Sequence, residues 1–225
     1  MSKVVNPYAH RLGILRDWRH RWFATGRKYQ QYLKEDILLR EFLLKELRSM
    51  YIGGLEMERG ENTLRVIIKT SRPGLIIGRS GEGSTRLRNL IVAFLRKNGD
   101  EVPELKLDIE EIRNPEGNAA IVAYMVAEGL EKRLPFRRVL KQTIEKVMAN
   151  RDVKGVRIGV AGMLGAGSMS RTEELKKGQI PLQTLRSDID YARERANLPL
   201  GVIGIKVWIY HGAVFSEKGK DKKDA

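Results

Sequence analysis

Two glycines three residues apart constrain this chain more than any other feature. They are Gly78 and Gly81, inside Ser71 to Gly83, Ser-Arg-Pro-Gly-Leu-Ile-Ile-Gly-Arg-Ser-Gly-Glu-Gly. Glycine adopts backbone conformations closed to other residues and lets one backbone approach another. Arg79 places a positive charge between the two. Leu64, Val66 and Ile68 alternate with Arg65, Ile67 and Lys69 ahead of the loop, which predicts a strand with at least one buried face. Leu87 to Leu95 follows it with helical apolar spacing. The free N–H groups of that helix start join the charge of Arg79. Such a turn suits a phosphate chain better than a small neutral ligand.

The charge balance agrees. Across 225 residues, 42 Lys and Arg stand against 28 Asp and Glu, a formal net charge of +14. That surplus favours a polyanionic partner, nucleic acid first, over a merely solvated basic surface. No cysteine is present, which removes disulfides, thiolate metal sites and a cysteine nucleophile. His10, His20 and His211 never stand four apart, so no metal or other cofactor is expected. No apolar run reaches membrane-spanning length and no signal peptide opens at Met1, so a cytoplasmic protein without a membrane partner is expected.

The order of elements around the loop is more specific than the loop. A helix over Tyr29 to Tyr51, stopped by Gly53-Gly54, precedes strands at Leu55 to Arg59 and Leu64 to Thr70. A short helix from Arg72 to Ile77, the loop, a helix from Glu82 to about Asn98 and a strand at Leu105 to Glu110 complete it. This α-β-β-α-α-β arrangement resembles a type II KH domain with a three-stranded mixed sheet. The resemblance implies a clamp on single-stranded RNA backbone at Ile77, Gly78, Arg79, Ser80 and Gly81. The plain alternative is a structural turn between helices.

Asn114-Pro115-Glu116-Gly117 marks a boundary. The expected organisation is a basic arm over 1–28, the KH domain over 29–113, a second α/β domain over 114–212 and a disordered basic tail over 213–225. The second domain is expected to hold two helices, Ala119 to Arg133 and Phe136 to Ala149, and a four-stranded antiparallel or mixed sheet. Within it, Met169 to Leu175 is expected to pair with Leu182 to Tyr191. Lys132, Arg133, Arg137, Arg138 and Lys141 crowd one helix start, where the macrodipole favours anions, so a protein acid or a phosphate is expected to answer them, the plain alternative being a solvated charged face.

Enzyme readings find few residues. Gly162 to Gly167 reverses the spacing of a dinucleotide loop and lacks the helix such a loop opens. Asp188 and Asp190 share a strand face with Arg186, which reads as a charge-balanced cluster rather than a Mg²⁺ site. No nucleophile–base pair stands out, and no catalytic residue is expected.

Phe136-Arg137-Arg138, Arg171-Thr172-Glu173, Pro181-Leu182 with Thr184 to Tyr191, and Gly201 to Tyr210 resemble the bacterial family of small ribosomal subunit protein three. Arg11 to Ile14, Trp18, Trp22-Phe23-Ala24 and Arg72-Pro73-Gly74 extend the likeness from about Pro7 to Gly212. The resemblance implies a non-enzymatic constituent of the small-subunit head that binds its ribosomal RNA. Its neighbours would be small-subunit proteins ten and fourteen, and it would share the pore where messenger RNA enters with proteins four and five. It implies that Arg137, Arg138 and Lys141, with Lys132 and Arg133 beside them, help unwind messenger. It also implies that Lys3, Arg11, Trp18, Trp22, Arg171, Lys176, Lys177 and Arg186 are candidates for ribosomal RNA. The chain departs from the family at Glu173-Glu174-Leu175, where Glu-Trp-Tyr is usual, at Ser80, where a second base is common, and at Gly83. A free-standing KH regulator is the alternative.

Overall fold

The computed structural model describes residues 6–97, 104–165 and 169–214. Lys3, the turn at Gly99-Asp100, Gly167 and the tail from Phe215 onward lie outside the described residues. In chain order the elements begin with α1 (Pro7–His10), β1 (His20–Arg21), α2 (Gly26–Glu46), β2 (Ile52–Arg59) and β3 (Thr63–Thr70). They continue with α3 (Pro73–Ile77), α4 (Glu82–Lys97), β4 (Glu104–Glu111), α5 (Ala119–Glu131) and α6 (Phe136–Ala149). Strands β5 (Gly155–Gly162), β6 (Arg171–Gly178), β7 (Ser187–Leu198) and β8 (Gly201–Ala213) complete them. The chain divides into two compact units, Trp18–Pro115 and a second made of Met1–Asp17 with Glu116–Ala225.

In the unit Trp18–Pro115, β2 runs antiparallel to β3, and β3 runs parallel to β4. The three strands expected from the sequence gain a fourth, because two residues of the arm, β1, lie parallel to β2. Gly53 and Gly54 do not end a helix. They sit inside β2, where the register with β3 shifts between Ile52 and Gly54. Leu39 and Leu43 of α2, with Leu47 after it, recur every fourth residue, and so do Leu87, Ile91 and Leu95 of α4. That spacing puts each set on one stripe. Both stripes pack against Leu55, Met57, Leu64, Val66, Ile68 and Leu105 of the sheet. Phe42 and Phe94 stack at 4.6 Å between the helices. Arg59 is buried with two carboxylates: Nη1 donates to Glu35 at 2.6 Å and Nε to Asp36 at 2.8 Å. A buried guanidinium requires such a partner, and removing Arg59 would leave two carboxylates without their cation.

In the other unit the sheet order is β6-β5-β8-β7, antiparallel throughout. The expected pairing of Met169–Leu175 with Leu182–Tyr191 does not form. β6 pairs with β5, and β7 pairs with β8 across the two-residue turn Pro199-Leu200. β5 and β8 are the apolar strands, so they take the centre, and the polar β6 takes an edge. β8 also runs through Ala213, one residue into the expected tail. Ala119, Val122, Val126 and Leu130 of α5 and Leu140, Ile144 and Val147 of α6 cover one face of the sheet. Asn118 caps α5 through its side chain, and Asp190 accepts the Ala119 N–H at 2.8 Å.

Arg11 belongs to this core. It is fully buried, and its guanidinium donates to the carbonyls of Ser187 (2.6 Å), Pro7 (2.9 Å), Thr184 (3.0 Å) and Leu182 (3.1 Å). Arg16 reaches Asp188 at 2.6 Å. Two arginines thus tie residues 7–17 to the strand β7 and the segment before it.

Arg11→Ala should strand four carbonyls and cost about 3 kcal/mol, read as a lower urea midpoint for this unit. Arg11→Lys should recover little, since one ammonium cannot reproduce the fork. In the unit Trp18–Pro115, burial holds the His20 imidazole below its ordinary value of 6.5, against the opposing pull of Asp36. The unfolded chain therefore binds the extra proton first as pH falls. Stability should decline as pH drops below about 6.5, and His20→Gln should flatten that limb of a denaturation series.

Candidate nucleic-acid interface

The glycine loop stands between α3 and α4. Gly78 takes φ +70° and ψ −174° after α3, and Ser80 and Gly81 are left-handed at φ 51° and 81°. A left-handed serine is uncommon, and its carbon side chain makes it costlier there than glycine. Gly83 explains the tightness. A Cβ on Gly83 would lie 2.4 Å from the Ile76 carbonyl oxygen and 2.9 Å from that of Ile77. A Cβ on Gly78 would lie 3.0 Å from the Gly83 nitrogen. The end of α3 therefore lies directly on the first turn of α4. Gly83 looks in the sequence like a weak helix start, yet it is the closest backbone approach in the loop. Ile77, Gly78, Arg79 and Ser80 are exposed, and Ser80, Glu82, Thr85, Arg86, Asn89, Leu90 and Ala93 line an open groove of about 610 Å³ beside them.

The second cluster stands at the start of α6. Arg137, Arg138 and Lys141 all reach solvent, while Val139, Leu140 and Ile144 point to the core. The expected anion is present for Arg137: it is Glu173 of β6. Arg137 donates from Nε at 3.2 Å and Nη2 at 3.1 Å to the two oxygens of that carboxylate. Arg171 stands 3.9 Å from it. Both guanidiniums lie over Phe136, at 5.6 and 5.7 Å from the ring centre. The hydrogen bond from Arg137 holds the Glu173 carboxyl below its ordinary range, against the opposing effect of desolvation. Arg138 and Lys141 make no ion pair with another described residue. Lys132 is tied to Glu128 at 2.6 Å, and Arg133 turns the chain at φ 58°.

The remaining candidates divide. Lys176, Lys177 and Arg186 are exposed. Trp18 is exposed at 62%. Trp22 instead packs its ring on Tyr29 (5.3 Å) and Tyr32 (5.9 Å). Arg11 spends four of its five N–H donors on carbonyls and, fully buried, presents no face to a polyanion. Asp188 meets Arg16 at 2.6 Å and Asp190 caps α5, and the register with β8 shifts between Asp188 and Ile189. After Gly162 to Gly165 the next described element is the edge strand β6 rather than the helix a dinucleotide loop opens. Glu173 and Phe136 went unrecognised as partners. The only signal for Glu173 was the helix start with five bases and no acid.

Residues 126–209 match the family model described as Ribosomal protein S3, C-terminal domain, and residues 38–117 match the KH domain. The chain is similar to small ribosomal subunit protein uS3 of Clostridium acetobutylicum, 37% identical over 224 residues, covering 100% of this chain and 98% of that one. It is also similar to the uS3 proteins of Caldicellulosiruptor saccharolyticus (41% over 222 residues, 97% and 96% covered) and Caldicellulosiruptor bescii (41% over 228 residues, 99% and 100% covered).

Gly83→Val should displace α3 from α4 and destabilise the unit Trp18–Pro115 by about 2 kcal/mol, measured by denaturant titration. Glu173→Gln should free the fork of Arg137 and raise affinity for a single-stranded RNA about two- to fivefold at low salt, measured by filter binding, with the gain vanishing in Arg137→Ala.

Proposed function

The chain belongs to the ribosomal protein S3 family, and on that premise we propose that it is a constituent of the small ribosomal subunit. In this reading it binds small-subunit ribosomal RNA and lines the pore where messenger RNA enters. The family is not enzymatic, and the work done here is electrostatic: cations neutralise phosphates and release counterions. The observation that carries the reading is the open triad Arg137, Arg138 and Lys141 on one turn of α6. Two of the three have no ion pair with another described residue, and the third is held by a half-buried carboxylate that a phosphate can replace.

The triad grips the incoming strand while translocation supplies the work of separating base pairs. Glu173 keeps the fork of Arg137 oriented over Phe136 until phosphate takes its place. Lys132 and Arg133 extend the positive field beside it. The glycine loop holds a second stretch of backbone through exposed N–H groups and Arg79. Trp18, Trp22, Arg171, Lys176, Lys177 and Arg186 remain candidates for ribosomal RNA, and small-subunit proteins ten, fourteen, four and five remain the expected neighbours. Arg11 serves folding instead.

Replacing Arg137, Arg138 and Lys141 by Ala should slow translation through a stable messenger hairpin several-fold more than through an unstructured messenger. Equal slowing on both templates would remove the unwinding role and leave only the structural one. A free-standing regulator is separated by sedimentation, since a ribosomal constituent travels with small subunits at moderate salt and a regulator stays at the top of the gradient.

A further inference from the structure

The sheet β6-β5-β8-β7 turns one face to α5 and α6, and the register defines what lies on the other. Lys176 stands opposite Arg157, Arg157 opposite Trp208, and Trp208 opposite Tyr191. The next row on the same face is Glu174, Gly159, Lys206 and Arg193. The row after that is Thr172, Ala161, Gly204 and Arg195. Lys176, Arg157, Lys206, Arg193 and Arg195 therefore share one face with Glu174 as the only acid in these rows.

Two pairs of cations stand directly across from each other, Arg157 with Lys176 and Arg193 with Lys206. Like charges in that position destabilise a sheet. The first pair is answered: Arg157 donates to Glu174 at 2.9 Å and lies 4.9 Å over the Trp208 ring. The second makes no ion pair with another described residue, and Arg193 is exposed. An outside polyanion would relieve repulsion of this kind.

The relief of the face narrows the polyanion. Its aromatics are buried: Trp208 is 1% exposed and Tyr191 9%, packed with Ile189 and Tyr210 in a cluster of their own. A sheet that binds single strands offers exposed rings for bases to stack on, and this one offers none in these rows. The third row is low, since a Cβ on Gly204 would meet nothing nearer than the Ala161 oxygen at 3.8 Å. Guanidiniums beside a low floor fit phosphate oxygens in a two-pronged geometry. We propose that this face, centred on Arg193 and Lys206, docks the phosphate backbone of double-helical RNA. It rests on the reading of this chain as an RNA-binding ribosomal constituent, and it is separate from the α6 triad.

The test uses the full-length chain with three probes: a blunt RNA duplex of mixed sequence, polyuridylate and polyglutamate. Arg193→Gln with Lys206→Gln should weaken duplex binding about tenfold near 0.1 M salt and lower the slope of log affinity against log salt by about two. Polyuridylate binding should hold within twofold, and polyglutamate should not displace the duplex. The exchange Arg193→Lys with Lys206→Arg keeps the charge and should restore duplex affinity. If the double variant does not fold, Arg193→Gln alone, at an exposed position, should still lower the slope by about one. An unchanged slope, or an equal loss on polyuridylate, overturns the proposal, as does displacement by polyglutamate, which would assign the face to an acidic protein segment. Arg137→Ala with Arg138→Ala and Lys141→Ala should leave the effect of the Arg193 and Lys206 changes intact, so failure of one site does not stand for failure of the other.

Discussion

A surplus of fourteen positive charges sets the terms on which this chain folds. Compaction brings like charges together, so every cation must find an acceptor inside, a carboxylate beside it, or open solvent. The structure uses all three. Arg11 is taken inward and surrounded by carbonyl dipoles, and Arg59 is taken inward against Glu35 and Asp36. On the open face of the β2-β3-β4 sheet, Arg65 meets Glu58 and Asp108, and Lys69 meets Glu56. Arg138, Lys141, Arg193 and Lys206 are among those left to solvent, with Arg79, Lys176 and Lys177. Cations of this third kind are the ones the proposals above assign to phosphates.

This sorting also separates framework from interface within one residue type. Arg137 and Arg59 both face carboxylates through a fork. Arg59 is buried at 6% exposure, so its pair is fixed by the cost of desolvated charge. Arg137 is 69% exposed, and solvent screens its pair with Glu173. A screened pair orients a side chain without committing it, which is what an exchangeable phosphate contact requires. The same ion pair thus serves as a rivet in one place and as a holder in the other.

Much of this was legible in the sequence because it rests on periodicity. The stripes of α4 and α6, the alternation of β3 and β8, and the glycine loop follow from one-dimensional spacing. Other features did not, because they depend on who sits across a gap. Arg11 reads as an arm cation until four carbonyls close around it. β6, Arg-Thr-Glu-Glu-Leu-Lys-Lys-Gly, has too little apolar alternation to declare its partner, so its pairing with β5 is decided by the sheet and not by its own pattern. Gly53-Gly54 reads as a helix stop and is a strand irregularity, since glycine is permissive in both settings. Glu173 lies 36 residues from the arginine it holds, a separation that no local window spans.

The contact of Gly83 with the carbonyls of Ile76 and Ile77 has a thermodynamic consequence for the loop it braces. Backbone that rests on backbone cannot be loosened by a side-chain rotation, so the two helices and the turn between them move as one piece. On the proposed reading of the loop, a strand of RNA arriving there would meet a backbone already in place, and little ordering entropy would be left to be lost by the protein. The association should therefore carry a small heat-capacity change from protein folding, with its temperature dependence governed by the RNA's own unstacking.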